Sequence, residues 1–204
     1  GKPFFDGEDR LFGYRFVARD ITASYLLSKK ISHQAAHDAL TGLVNRWEFD
    51  RRLHRLLTGL DSNSEHVLCY LDVDQFKIVN DISGHIVGDG VLKQLAIVLA
   101  NCVRERDTLA RLGGDEFAIL LEHCSTEQAA RVAEKACDVI RNYLFQFDKR
   151  KFDITVSIGV VDISQLGSNY SDVLSAADAA CYAAKERGGD SVHIYQQDDA
   201  DIER

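Results

Sequence analysis

The stretch RLGGDEFAIL, Arg111 to Leu120, constrains the fold more tightly than any other part of the chain. Residues Thr108 to Leu112 before it and Phe117 to Leu121 within and after it read as two short apolar strands. Between them stand Gly113 and Gly114, then the adjacent carboxylates Asp115 and Glu116. A tight hairpin needs only an Asn-Gly or Asp-Gly turn. Paired negative charge at its tip therefore implies a positive partner, and two residues without side chains let a ligand lie against the backbone. The alternative is a plain polar turn, and the tetrapeptide alone does not decide between the two.

A chain of 204 residues, 46% of them apolar, suits one ordinary domain with some extra length. It has no apolar run of about eighteen residues and no charged-apolar-small leader, so a cytoplasmic segment is expected. The five cysteines are odd in number and widely spaced, without a C-x-x-C pair. They read as reduced core residues, and a zinc site is not expected. The net charge of -8 argues against nonspecific binding to nucleic-acid phosphates. A polyphosphate can still bind if a divalent cation sits between.

Residues 1–22 read as two strands around an Asp-Gly-containing turn, too short to hold a core alone. Leu26, Leu27, Ile31 and Ala35 then mark a connector helix over 23–36. The main domain is expected over 37–196, with 197–204 as a tail. Asn45 and Glu48 resemble a capping box, opening a helix with Phe49, Leu53 and Leu56 inside. HVLCYLDV (His66 to Val73) is a mostly apolar strand ending in acids, and Val91, Leu95, Val98 and Cys102 mark a helix. Ser125 with Gln128 caps a helix carrying Val132, Ala136 and Ile140. Phe152 to Val160 alternates as a strand; Val173, Ala177, Cys181 and Ala184 mark a small-residue helix; Ser191 to Tyr195 closes as a strand. The predicted fold is α/β (α+β): a palm-like mixed sheet with a βαββαβ core flanked by helices.

In that unit the strand ending at Asp72 and the hairpin carrying Asp115 and Glu116 are central neighbours, which brings three carboxylates to one end of the sheet. Clustered carboxylates repel unless a cation neutralises them. An all-oxygen site without imidazole suits magnesium, and two such ions stabilise an in-line phosphoryl displacement. No G-x-x-x-x-G-K-[ST], G-x-S-x-G or H-E-x-x-H is present, which removes the P-loop, nucleophile-elbow and zincin readings.

The sequence resembles the GGDEF family of diguanylate cyclases from about His37 to Tyr195. The resemblance rests on six motifs in order: DALTGLVNR, LDVDQFKIVND, SGHIVGDGVL, RLGGDEF, VSIGV and ADAACYAAKERGG. It implies that each domain holds one GTP and that two domains meet face to face as a homodimer. They would release cyclic di-GMP and two pyrophosphates. Carried over by position, Asp72, the main-chain carbonyl of Val73 and Asp115 hold two magnesium ions, with manganese as an alternative. Asp115 or Glu116 assists deprotonation of the attacking hydroxyl. Asn80 and Asp89 read guanine, Lys77 and Lys185 contact phosphates, and Gly113 and Gly114 lie against the nucleotide. Taken without the resemblance, Asp89 also reads as an acid at a helix N-terminus. Where the family often has an arginine after the late lysine helix, this chain has Gly189.

RERD, Arg104 to Asp107, is similar to the family's R-x-x-D product-inhibition site, where an arginine fork holds the product. The other reading is a salt-bridge cluster at a helix end. The resemblance also implies that residues 1–22 are the last part of a PAS sensor domain and that the tail leads toward an EAL phosphodiesterase domain. Two other functional classes stay open: a GTP-binding regulatory module without turnover, and a pure cyclic di-GMP receptor.

Overall fold

In the computed structural model, residues 2–15, 19, 20, 22, 35–60, 65–166 and 169–196 are described. The chain divides into two units, 1–35 and 36–204. The first unit contains the expected antiparallel pair, β1 (Lys2–Phe5) and β2 (Leu11–Arg15). Asp6 organises its turn, accepting from the backbone N–H groups of Glu8 and Arg10, each at 2.9 Å. The connector helix and the tail 197–204 lie outside the described residues, apart from Ala35 and Ala36.

The second unit begins with β3 (Val44–Asn45), α1 (Arg46–Thr58) and β4 (His66–Val73). Two helices follow, α2 (Phe76–Ser83) and α3 (His85–Ala100), then the hairpin β5 (Thr108–Gly113) and β6 (Glu116–Glu122). After α4 (Thr126–Asn142) comes a small separate hairpin, β7 (Phe145–Phe147) and β8 (Arg150–Phe152). The chain ends with β9 (Val156–Asp162), the single turn α5 (Ile163–Leu166), α6 (Tyr170–Glu186) and β10 (Val192–Ile194).

Six strands form one sheet in the order β10-β9-β4-β6-β5-β3. The inner four pair antiparallel, and both edge strands are parallel to their neighbours. Helices cover both faces, which explains why HVLCYLDV is apolar at nearly every position instead of alternating. Val67, Cys69, Leu71 and Val73 join the core built with α3 and α4. Leu68 and Tyr70 point the other way, into the core of Phe49, Leu53 and Leu57 from α1 and Val173, Ala177 and Cys181 from α6. Fully burying a leucine contributes about 1.5–3 kcal/mol, so this double-sided strand anchors the domain.

The helix starts follow their caps. Asn45 accepts from the Glu48 N–H at 3.0 Å, and Ser125 accepts from the Gln128 N–H at 3.4 Å. The Glu48 side chain does not reach back to complete a box. It is held by Arg51 and Arg52 at 2.7 and 2.9 Å. Three other expectations are corrected. The strand predicted from Phe152 starts at Val156, because Phe152 ends the separate hairpin and residues 153–155 link the two without regular structure. Cys102 lies past the end of its predicted helix, which stops at Ala100. A helix that the sequence reading did not place, α2, follows β4 directly.

Candidate active site

Asp72 is the penultimate residue of β4 and lies directly opposite Glu116, the first residue of β6. One residue on, the Val73 N–H donates to the Asp115 carbonyl at 3.3 Å. Strand pairing therefore brings the Asp115–Glu116 turn onto the end of β4. By strand alternation Asp72 shares the face of Leu68 and Tyr70, the face on which α6 packs. Lys185, in the last turn of α6, meets it there: Nζ stands 2.6 Å from Asp72 Oδ1.

The electrostatics of this end are unbalanced. Burial pushes the Asp72 carboxyl above its ordinary value; Lys185 pulls it back, and Asp115 and Glu116 add to the rise. Burial works against charge on Lys185, but contact with Asp72 outweighs it and holds the ammonium above its usual range. Burial, then the neighbouring Glu116 carboxylate, drives the Tyr70 phenol far up. The Lys185 ammonium pairs with only one of the three acids, Asp72.

The turn has an unusual backbone. Gly113 has φ 155 and Gly114 φ 46, and a Cβ at either position would meet nothing within 4 Å. Glycine is required there by conformation and not by crowding, so the space over the turn is open to a ligand. Arg111 fixes it from behind. Its guanidinium donates twice to the Gly114 carbonyl, at 2.7 and 3.0 Å, and to Asp38 at 3.1 and 3.3 Å. Asp38 in turn accepts from the hydroxyl and N–H of Thr41 at 2.6 and 2.9 Å.

The acids are neighbours, but they are not gathered into a ready cage. Among the described residues no group of three His, Cys, Asp or Glu side chains is positioned to hold a metal. The expected meeting of Asp72, Asp115 and Glu116 at one end of the sheet is present, with Lys185 already paired to Asp72. The donor set still fits magnesium. That ion rarely uses an all-protein cage and takes one or two carboxylates together with water and substrate phosphate.

Of the remaining predicted residues, Lys77, Asn80 and Asp89 lie on the two helices that follow β4, whereas RERD immediately precedes β5 and so stands at the opposite end of the sheet from the Asp115–Glu116 turn. Lys77 is exposed on α2, and Asn80 is half-buried on the same helix. Asn80 Oδ1 lies against Gly88, where a Cβ would collide with it, which brings it beside the neighbour of Asp89. Asp89 is exposed and sits beyond the first turn of α3, a turn that holds no acid, so the helix-terminus reading of it falls away. In RERD, the Arg104 N–H donates to Asp107 Oδ2 at 2.9 Å and the Asp107 N–H to the Arg104 carbonyl at 3.0 Å, closing a local turn. The helix-end salt-bridge reading is not what forms, since the backbone and not the guanidinium bonds Asp107. Sequence reasoning missed the roles of Asp38 and Arg111; both stood in quoted motifs, but their partnership joins positions 73 apart.

Comparison with known proteins agrees with this geometry. A family model described as diguanylate cyclase, GGDEF domain, matches residues 35–191. The chain is 38% identical over 189 residues to the probable diguanylate cyclase DgcE of Escherichia coli (strain K12), covering 92% of this chain and 17% of that protein. It is 34% identical over 204 residues to the diguanylate cyclase TpbB of Pseudomonas aeruginosa, covering 99% of this chain and 46% of that one. The solved coiled coil and GGDEF domain of DgcB from Caulobacter crescentus, in complex with c-di-GMP, matches with a TM-score of 0.78 at 28% identity, over 85% of this chain and 93% of that one. The chain spans less than half the length of both curated relatives.

Proposed function

The chain belongs to the diguanylate cyclase GGDEF-domain family, and from that premise we propose that it condenses two GTP molecules into cyclic di-GMP at the interface of two copies. The observation that carries the proposal is the pairing of Asp72 with Glu116 and of Val73 with the Asp115 carbonyl, at the open end of the sheet beside Lys185.

Asp72, the Val73 carbonyl and Asp115 would hold divalent metal, two magnesium ions per site, with manganese as a substitute. Bound metal neutralises the triphosphate and the departing pyrophosphate. Asn80 and Asp89 orient the base: a carboxylate accepts from guanine N1–H and its exocyclic amine, whereas adenine offers a lone pair at N1. Lys77 and Lys185 bind phosphate oxygens, so Lys185 exchanges Asp72 for the nucleotide. The 3'-hydroxyl oxygen of one GTP then bonds to the α-phosphorus of the other. The bond from that phosphorus to its bridging oxygen breaks, and pyrophosphate leaves. The hydroxyl proton passes to the Asp115–Glu116 pair. Repetition with the roles exchanged closes the ring.

Product inhibition is assigned to Arg104 and Asp107. The Arg104 guanidinium forms no ion pair among the described residues, and beside RERD runs a groove of about 480 Å³ lined by Arg51, Arg52, Arg55 and Arg106 together with Glu48 and Glu122, Glu48 already holding Arg51 and Arg52. Arg55 and Arg106, with Arg104 nearby, are the guanidinium groups left to meet the two phosphodiesters of the product. The residues of the first unit are read as the end of a sensor domain. Among the described residues no helix is long and apolar enough to cross a membrane.

Incubation with GTP and magnesium over a range of protein concentrations, with the nucleotides resolved by chromatography, tests the proposal. Cyclic di-GMP should form with two pyrophosphates per ring, and activity per chain should rise with concentration. No product from a demonstrably dimeric sample contradicts it.

A further inference from the structure

Asp74 lies one residue past β4 and is half-buried. Its carboxylate accepts from the Thr155 hydroxyl at 2.7 Å, the Ser157 hydroxyl at 2.6 Å and the Asp190 backbone N–H at 2.9 Å. Its own N–H donates to the Thr155 carbonyl at 3.0 Å. These partners come from two places, the entry to β9 and the loop between α6 and β10. Three donors occupy most of the lone-pair sites of one carboxylate, so Asp74 is committed to the protein and not open to a metal.

The loop is shaped to receive it. Gly189 has φ 74, and a Cβ there would stand 3.1 Å from Cγ, Oδ1 and Oδ2 of Asp74. A side chain at this position is disfavoured by the left-handed backbone and would press on the Asp74 carboxylate. From the other side, Arg141 at the end of α4 grips the Asp190 carboxylate, with Nη2 at 3.0 Å from Oδ1, and is itself held by Asp138 at 2.7 Å. The clamped loop starts directly after the turn of α6 that carries Lys185.

We propose that Asp74 is a positioning residue for the phosphate end of the site. The Thr155 and Ser157 hydroxyls orient its carboxylate, and that carboxylate, by accepting from the Asp190 N–H, fixes the α6–β10 loop against the end of β4 and so Lys185 over Asp72. The two strand-end acids and the ammonium thereby keep one spacing although they come from separate elements. The identity of what is positioned rests on the cyclase reading above; the clamp itself does not.

Two substitutions test it. Asp74→Asn preserves shape: its oxygen still accepts from the Asp190 N–H, and the Ser157 hydroxyl reverses to accept from the new amide. Asp74→Ala removes every acceptor. Amide hydrogen exchange across 187–191 should accelerate in Asp74→Ala and stay near wild type in Asp74→Asn. In the same samples kcat/KM for GTP with magnesium should fall about 100-fold in the alanine variant, the scale of a misplaced reacting group, and no more than about 3-fold in the asparagine variant. Combining Asp74→Ala with Lys185→Met should cost no more than Lys185→Met alone, because the first acts through the second.

An asparagine variant as inactive as alanine, with a protected loop, overturns the proposal, since Asp74 would then act by its charge. Full additivity with Lys185→Met, or an alanine variant unchanged in both exchange and turnover, overturns it as well. If Asp74→Ala does not fold, Ser157→Ala and Thr155→Val each remove one donor, and each should accelerate loop exchange to an intermediate degree; unchanged exchange in both counts against the clamp. Should the wild-type chain make no cyclic di-GMP, the cyclase reading fails and the exchange measurement alone decides on the clamp.

Discussion

Replacing Arg111 with alanine tests how the acidic turn is held. The wild-type guanidinium makes four hydrogen bonds, two to the Gly114 carbonyl and two to Asp38. The side chains are only 12% and 23% exposed at Arg111 and Asp38. Breaking a fully buried pair costs about 3–5 kcal/mol because the surviving charge is stranded. Asp38 keeps its two bonds from Thr41 and some water, so a loss of about 3 kcal/mol, the low end of that range, is expected. With a urea slope of about 2 kcal/mol per molar, the unfolding midpoint should drop by about 1.5 M. Freed from its clamp, the turn misplaces Asp115 and Glu116, and turnover of the folded protein should fall about 100-fold. Arg111→Lys keeps the charge but loses the fork, so it should recover part of the stability and little of the turnover. Urea titration by circular dichroism and a GTP turnover assay on the same samples supply both numbers. A midpoint within about 0.3 M of wild type together with unchanged turnover would refute the clamp.

Three other outcomes are expected. Asp115→Asn should abolish turnover while leaving the urea midpoint nearly unmoved, since a residue at a strand-end turn contributes little packing; wild-type activity would remove Asp115 from the chemistry. Arg104→Ala should relieve product inhibition without lowering the initial rate, and superimposable inhibition curves would return RERD to a purely local turn. Glu48 supplies a pH signature: Arg51 draws its carboxyl down, burial opposes, and Arg52 adds to the fall, leaving it at about 2 against an ordinary 4.5. A depressed carboxyl stabilises the fold above its unfolded value and loses that contribution as pH falls from about 4.5 toward 2. The shift corresponds to about 3 kcal/mol, reduced to about 2 by water at the half-exposed Arg51. Glu48→Gln should therefore be less stable than wild type at neutral pH, with the difference closing in acid; a difference constant with pH denies the linkage.

The sheet was legible where burial was two-sided or the turn chemistry strong. HVLCYLDV matches its strand residue for residue, because an apolar run of that length between polar flanks has few other uses. The β5–β6 hairpin was equally plain. Phe152 and Ile154 extended the alternation of β9 misleadingly. Ile154 is buried, but it lies in an irregular link, and the strand pairs from Val156, opposite Val73. The helix α2 escaped because it carries exposed Ile78 and Ile82 on a helix that starts from a left-handed Gln75 without a side-chain cap. At the site, the residue types were readable and their partnerships were not. Arg111 with Asp38, Lys185 with Asp72, and Asp74 with Asp190 each join distant segments, and only the folded topology sets those distances. The three acids do meet at one end of the sheet, as the sequence implied; what it did not show is the ammonium that already serves one of them.

The central claim is that the end of β4 and the β5–β6 turn together receive a divalent cation. Anomalous diffraction from crystals grown with manganese and a non-hydrolysable GTP analogue addresses it directly. A peak bounded by Asp72, the Val73 carbonyl and Asp115, with Lys185 turned from Asp72 to the phosphates, is the predicted result. Nucleotide bound with no peak at that place, or with the Lys185–Asp72 pair intact, contradicts the account.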